Sequence, residues 1–220
     1  MTSPLGLPGP AGVLRRFVYG DVPLDEWVAK GAAAPVGPQV SFERARQLVH
    51  ADQIHEAVKI WWQLAFTEGL ESRQTLQAWH FLRQAGYRPP ADRAKLVLGA
   101  VAESPEQGTH NVLAAYQDGT ARYLAYSGKA LIWEDSSVTE IQMAIGDWLA
   151  SGQAIADATE AWDQPSLPPL LAGYGRVMVL TPGGPRFRQS PAAAVGDPMA
   201  GLFLAAAIRL LRLLMNREMA

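Results

Sequence analysis

The hydrophobic pattern between residues 41 and 104 repeats at the spacing of an α-helix. Within 51–69 and 71–86 the apolar positions recur every three or four residues, and each stretch ends in glycine. Ser41 stands before the first apolar stretch as an N-cap, and 91–103 carries a further apolar stretch after two prolines. The pattern predicts a short helical array, built of helix hairpins, whose fourth helix covers 91–103.

The pattern changes to that of β-strands in residues 110–134. Three runs of β-forming residues are separated by Asp118-Gly119 and Ser127-Gly128. Asp-Gly is a strong hairpin signal because a type I′ turn needs positive φ at both central residues. The stretch therefore predicts a three-stranded antiparallel meander, with few charged residues on either face.

A helix and a hairpin are predicted after the meander. Ser137 and Glu140 form a capping box before an apolar helical stripe. Gly152 ends this helix, and 153–158 then forms a short strand, unless the glycine is tolerated and the helix continues. The stretch 175–189 reads as a strand, a Gly-Gly turn and a returning strand.

The last helix is predicted from an N-cap at Asp197 to about Arg217, with Pro198 at its first position. Its polar stripe is narrow and consists of Ala205, Arg209, Arg212 and Asn216. The rest of the helix is apolar, so we expect it to be largely buried against the sheet.

Together these elements predict an α+β fold in three parts. Residues 1–40 form a Pro- and Gly-rich N-terminal arm, and 41–104 form the helical array. Residues 105–220 form an antiparallel sheet with packed helices in the order βββ-α-(β)ββ-α, where the bracketed strand is the alternative for 153–158.

Composition narrows the class of protein. The 220 residues are 49% hydrophobic and 18% charged, with a net charge of −2, which is typical of a globular chain and not of one that binds nucleic acid. The apolar run at 199–208 is shorter than the roughly 20 residues that span a membrane. There is no cysteine, and the N-terminus lacks the pattern of a secretory signal. We expect a cytoplasmic protein without a membrane span.

The sequence contains no recognisable catalytic, metal-binding or cofactor-binding motif. His55 begins a pattern like that of a zinc protease, but Lys59 stands where the second histidine would be. A metal site built from His50, His55 and His80 is conceivable, but ordinary helix histidines are the favoured interpretation. We therefore predict no catalytic residue, no metal and no cofactor.

One loop is a candidate anion site. Gly183 and Gly184 can form a backbone nest for an anion, with Arg186 and Arg188 close by. The alternative is a plain Gly-Gly hairpin with two solvent-facing arginines.

Aromatic side chains indicate a candidate interface. Adjacent helical residues point about 100° apart, so Trp61 and Trp62 cannot both face one core. Aromatic residues are enriched at protein interfaces, although burial under the arm or the sheet accounts for them equally well. The candidate interface residues are Phe17, Tyr19, Trp27, Trp62 and Trp79.

Three stretches of the chain, 76–90, 110–134 and 179–191, resemble an uncharacterised, conserved-hypothetical family of bacterial proteins. No activity is assigned to that family, so the resemblance implies a bacterial, cytoplasmic setting and no site residue.

Three functional hypotheses remain open. The leading one is a non-enzymatic interaction protein, an assembly or accessory subunit of a bacterial complex that docks to a protein partner or to itself. The alternative is a small-molecule sensor or carrier with a pocket between sheet and helices. The third is an enzyme of unknown class. The aromatic residues expected to floor the pocket are Tyr116, Tyr123, Tyr126 and Trp133.

Overall fold

A six-stranded antiparallel sheet forms the centre of the computed structural model, which describes residues 18–27, 36–106, 109–164, 167–191 and 198–218. The strand order is β4-β3-β2-β1-β5-β6, and every neighbouring pair is antiparallel. The strands are β1 (Gly99–Glu106), β2 (Thr109–Tyr116), β3 (Ala121–Leu124), β4 (Ala130–Trp133), β5 (Tyr174–Thr181) and β6 (Gly184–Pro191).

Helices precede the sheet and pack on it, which confirms the α+β class. Among the described residues, four helices come before the first strand, one lies between β4 and β5, and one follows β6. They are α1 (Leu24–Trp27), α2 (Pro38–His50), α3 (Ile54–Ala65), α4 (Ser72–Gln84), α5 (Thr139–Ala158) and α6 (Pro198–Glu218).

The predicted helix at 91–103 is wrong, because its second half is the central strand β1. Ala100 and Val101 are fully buried, and they face opposite sides of the sheet. A strand covered on both faces reads as a continuous apolar run, which periodicity cannot distinguish from a buried helix. The sheet thus begins at Gly99, inside the segment that was expected to be helical.

The hairpin turn at Asp118-Gly119 is confirmed, but its predicted type is wrong. Among the described residues Asp52 is the only non-glycine with positive φ, so Asp118 does not adopt the type I′ conformation. The Gly119 N–H donates to the Tyr116 carbonyl, and the Tyr116 N–H donates to the Thr120 carbonyl. These bonds, with φ +82° at Gly119, define a three-residue loop with a glycine bulge. The second turn of the meander repeats the arrangement.

Two predicted helix starts are also wrong. α2 begins at Pro38 and includes Ser41, because proline suits the first helical position. The capping box of Ser137 and Glu140 does not form, and α5 begins at Thr139 without a side-chain cap. α5 then continues through its second glycine to Ala158, so the prolonged-helix alternative is correct and 153–158 is not a strand.

The two faces of the sheet are covered by different parts of the chain. α5 and α6 cover one face, where Ala100, Leu113 and Val179 meet Trp148 and Phe203. The other face is covered by residues 18–22, by α4 and by the connection between α5 and β5. The side chains in that second layer include Val18, Tyr19, Leu76, Trp162 and Leu167.

The expectation that α6 is largely buried is wrong. By length and composition, 198–217 could cross a membrane, with mean hydropathy 1.7, yet only 28% of that window is buried in the protein. α5 lies across β1, β2, β5 and β6, so α6 packs chiefly on α5 and β5 and keeps an uncovered side. Its exposed apolar side chains are Leu202, Leu204, Ile208 and Met215. The predicted cap at Asp197 lies outside the described residues.

Gly152 allows α5 to approach the sheet closely. A Cβ at this position would lie 2.7 Å from the Val179 Cγ1 atom on β5. Gly146 lies earlier in the same helix and is exposed, and a Cβ there would meet nothing from a neighbouring element within 4 Å.

We expect Gly152→Ala to lower the free energy of unfolding by about 1–2 kcal/mol, because the added methyl overlaps a stiff β-branched side chain. The matched variant Gly146→Ala should raise it by roughly 0.5–1 kcal/mol, since it gains helix propensity at no steric cost. Urea unfolding of both variants measures the difference. Equal stabilisation by the two substitutions would contradict the close approach of α5 to β5.

Candidate functional site

A cleft of about 360 Å³ lies where α4 and residues 19–21 meet the end of the sheet. Its walls also include residues 160–164, Leu167 and the turn between β5 and β6. It is therefore a pocket between helices and sheet, of a size within the usual range of roughly 300–1,000 Å³ for ligand sites. We refer to it as the Arg83 cleft, after the arginine in its α4 wall.

Residues 18–22 form one wall of the Arg83 cleft because polar side chains hold their backbone in place. The Gln77 amide donates to the Val22 carbonyl (2.8 Å) and accepts from the Val22 N–H (3.0 Å). The Tyr116 hydroxyl donates to the Val18 carbonyl (2.7 Å). Gly20 has φ +62°, and a Cβ there would lie 2.8 Å from the Leu76 Cβ atom, so a side chain would push the segment off α4.

A buried ion pair lies beneath the same wall. Glu103 on β1 accepts a hydrogen bond from the Tyr19 hydroxyl, and its Oε1 atom lies 3.4 Å from the Arg176 guanidinium on β5. Arg176 also donates to the Pro168 carbonyl and lies over the Phe187 ring. The pair therefore fixes both residue 19 and the connection before β5, and its charges are balanced within the fold.

The β2–β3 turn holds the start of α4. The Asp118 carboxylate accepts from the Ser72 N–H at 2.8 Å, and the Ser72 hydroxyl accepts from the Asp118 N–H at 3.1 Å. The N-cap residue Glu71 makes no capping bond with its own side chain. An acidic residue distant in sequence thus caps the helix and sets its position on the sheet.

Arg83 is the most unusual group in the cleft. Its guanidinium has five N–H donors, and one of them donates to the Pro182 carbonyl at 2.6 Å. No carboxylate of the described residues lies within 4.0 Å of the Arg83 guanidinium, which is the limit for an ion pair. Burial, followed by repulsion from Arg88, lowers the pKa of Arg83 to about 10, so it remains a cation at neutral pH. A half-buried cation without an acidic partner costs the fold part of its hydration.

His80 lies one helical turn before Arg83 and also lines the cleft. Burial lowers the pKa of His80 to about 4, and the nearby charge of Arg83 contributes to the shift. The imidazole is therefore neutral at pH 7, and it presents one ring nitrogen as a donor and the other as an acceptor.

The charges of the cleft are divided between its walls. Both cations, Arg83 and Arg88, come from α4 and the residues that follow it. The three carboxylates come from the other segments and belong to Asp21, Glu160 and Asp163. Asp21 attracts the Arg83 cation from a distance, whereas Glu160 and Asp163 are exposed.

The four residues of the predicted anion loop do not come together. Gly183 lines the Arg83 cleft, but its N–H donates to the Ala94 carbonyl, and Gly184 starts β6. Arg186 lies on the opposite face of the sheet, where it donates to the carbonyls at the end of α5, and Arg188 on that face is exposed. Alternate strand residues point to opposite faces, which separates these arginines from the cleft.

The candidate interface aromatics are mostly covered by the chain itself. Tyr19, Trp27 and Trp79 are buried, with at most 8% of their surface exposed. Trp62 is 38% exposed, whereas Trp61 is buried, so the two adjacent tryptophans do point apart as expected. Phe17 lies outside the described residues.

The aromatic residues expected to floor one pocket lie on different faces. Tyr116 is buried beneath residues 18–22, whereas Tyr123 and Trp133 pack on the side of α5 and α6. Tyr126 lies in an exposed turn. That part of the pocket prediction is wrong, because strand alternation divides the four side chains between two layers.

The histidines of the conceivable metal site are also apart. His50 pairs with Asp25 at 2.8 Å, His55 is exposed on α3, and His80 lies in the cleft. The described residues contain no group of three His, Cys, Asp or Glu side chains able to hold a metal ion.

Arg83 and the role of His80 were not predicted from the sequence. His80 follows the buried Leu76 by four residues and Arg83 follows His80 by three, so all three share one helical face. A charged residue on an apolar helical face is the signal that could have indicated a site.

Comparison of the chain with protein-family models, with curated proteins and with solved structures found no match. Its function therefore has to be inferred from its own residues.

We expect the stability of the protein to fall as the pH is lowered from about 6.5 to 4, partly because of His80. Its folded pKa is below its unfolded pKa, so in this window the unfolded state binds a proton that the native state excludes. The contribution reaches at most about 3 kcal/mol and is fully present above pH 6.5.

Urea unfolding of His80→Gln at several pH values isolates this contribution, because the variant lacks the group. Its free energy of unfolding should depend less on pH between 6.5 and 4 than that of the wild type. The control His55→Gln, at an exposed position, should follow the wild-type profile. Parallel profiles for wild type and His80→Gln would refute the burial of a neutral His80.

Proposed function

We propose that this protein is a non-enzymatic sensor or carrier that binds a small molecule in the Arg83 cleft, with an anionic group of the ligand paired to Arg83. The observation that supports it is the half-buried guanidinium of Arg83, which has one carbonyl partner and no carboxylate partner among the described residues.

A bound anion would remove the main cost of this arrangement. A carboxylate or phosphate can accept two parallel N–H bonds from one guanidinium, and such charge-assisted bonds are about twice as strong as neutral ones. Burial strengthens the attraction further because the local dielectric constant is low. The ligand would complete a charge pair for which the fold already contains one half.

Binding fits the described cleft better than catalysis does. The neutral His80 has the protonation state of a general base, but none of the described residues offers a nucleophile hydrogen-bonded to it. The Thr181 hydroxyl, which also lines the cleft, donates to the Gly184 carbonyl. Nucleophilic catalysis needs a nucleophile and a base within hydrogen-bonding reach of each other.

We expect Arg83→Met to weaken ligand binding with little change in the stability of the ligand-free protein. Replacing a poorly paired, half-buried charge with an apolar side chain is often neutral or stabilising, so the free energy of unfolding should fall by less than about 1 kcal/mol or rise. Thermal-shift titration with carboxylates of two to six carbons and with inorganic phosphate measures binding. The best wild-type ligand should lose at least about tenfold in affinity.

Arg186→Met is the matched control, because Arg186 is a buried arginine that serves the fold. It donates to the carbonyls of Ala156 and Thr159 at the end of α5. The variant should lose about 2–4 kcal/mol of stability. The fraction of it that remains folded should bind the ligand as tightly as the wild type does. The proposal would be overturned if no ligand with an anionic group, zwitterions included, stabilises the wild type, or if Arg83→Met binds as well as the wild type.

A second candidate function is that of an interaction or accessory subunit. The specific observation is a row of exposed apolar side chains on α6, formed by Leu204, Ile208 (49% exposed) and Met215, whose spacings of four and seven residues place them on one face of the helix. An exposed apolar face is typical of surfaces that dock to a partner or to a second copy.

Sedimentation of the wild type and of Ile208→Glu tests this second candidate in its self-association form. We expect a concentration-dependent oligomer for the wild type and a monomer for the variant, because a carboxylate in an apolar interface is costly. Wild-type protein that stays monomeric at all concentrations would eliminate self-association through α6.

A further inference from the structure

We infer that the ligand of the Arg83 cleft is a zwitterion, with a carboxylate that pairs with Arg83 and an amine that faces the carboxylates of the other walls. This inference rests on the proposed function and specifies the chemistry of its ligand.

The charges of the cleft carry the inference. One wall contributes Arg83 and Arg88, whereas the other described segments contribute Asp21, Glu160 and Asp163. A ligand with negative charge alone would satisfy the arginines but would meet up to three carboxylates in the same small space. A ligand with positive charge alone would leave the half-buried Arg83 guanidinium without a carboxylate partner.

Glu160 and Asp163 disfavour the binding of ligands with several negative charges. Both are exposed, and no salt bridge within the described residues neutralises either one. The Asp163 carboxylate accepts a hydrogen bond from the neighbouring Gln164 amide, which leaves its charge in place. Like charges at the cleft repel diphosphates and nucleic acid, and they attract a terminal amine.

The remaining surface suits a short, largely apolar spacer between the two charged ends. Leu76, Trp162, Leu167 and Pro185 line the cleft with apolar atoms. The neutral His80 adds one donor and one acceptor without a charge at neutral pH. At about 360 Å³ the space fits an amino acid or a very short peptide, near the lower end of the usual range of roughly 300–1,000 Å³.

Calorimetric titration with three matched probes tests the inference. The probes are 6-aminohexanoate, which carries both charges, hexanoate, which lacks the amine, and hexylamine, which lacks the carboxylate. We expect 6-aminohexanoate to bind the wild type at least about fivefold more tightly than hexanoate or hexylamine. This factor corresponds to the modest attraction of two exposed carboxylates for one amine. Triglycine is added as a fourth probe to distinguish a peptide ligand from an amino acid.

The variant Glu160→Gln/Asp163→Asn removes the acidic groups of the 160–164 wall while keeping the shapes of the side chains. It should lose the preference for the zwitterion and should bind hexanoate about as well as 6-aminohexanoate. Asp157→Asn, at an exposed position of α5 outside the cleft, is the matched control and should keep the wild-type preference.

The outcomes separate this inference from the proposed function. Hexanoate binding that equals zwitterion binding in the wild type, but is lost in Arg83→Met, would overturn the zwitterion and keep the anion site. Unchanged preference in Glu160→Gln/Asp163→Asn would also overturn it. Binding of no probe, or binding that does not depend on Arg83, would overturn both.

Discussion

The paired hydrogen bonds between the Gln77 amide and the backbone of Val22 are the contact on which the cleft depends. They join α4 to residues 18–22 and satisfy both the backbone N–H and the backbone carbonyl of Val22. Tyr116 and Glu103 then fasten the same segment to the sheet. Because the segment lies between α4 and the sheet, it closes one side of a space that would otherwise be an open groove, and it places Asp21 near Arg83.

The arginines of the protein show how the same residue type serves either stability or binding. Arg176 and Arg186 are buried with acceptors supplied by the fold, and each ties a connection to the sheet or to a helix end. Arg83 is half-buried with a single carbonyl acceptor, so the fold gains little from its charge. A residue that costs stability and lines a cleft is better explained by a ligand than by packing, which is the physical basis of the proposed function.

The sequence predicted the helices, strands and turns that are determined by neighbouring residues. It did not predict the features that are determined by contacts between distant parts of the chain. The amphipathic helices α3 and α4, the meander turns and the last hairpin follow from spacing and turn residues. Strand β1 could not be recognised, because burial on both faces removes its alternation. The cleft could not be predicted for a related reason. It joins residues 21, 83 and 160, which no local pattern connects, and the cap on α4 comes from Asp118 in a distant turn.

The Arg83 guanidinium is proposed to hold the anionic group of a ligand, and the side-chain Nε–Hε signal of Arg83 in a nitrogen–proton NMR spectrum tests this most directly. Titration with 6-aminohexanoate should shift this signal to saturation, while the signal of Arg209, an exposed arginine paired with Asp147, stays in place. Loss of the shifting signal in Arg83→Lys would assign it. An Arg83 signal that does not move while the ligand binds elsewhere would contradict the account.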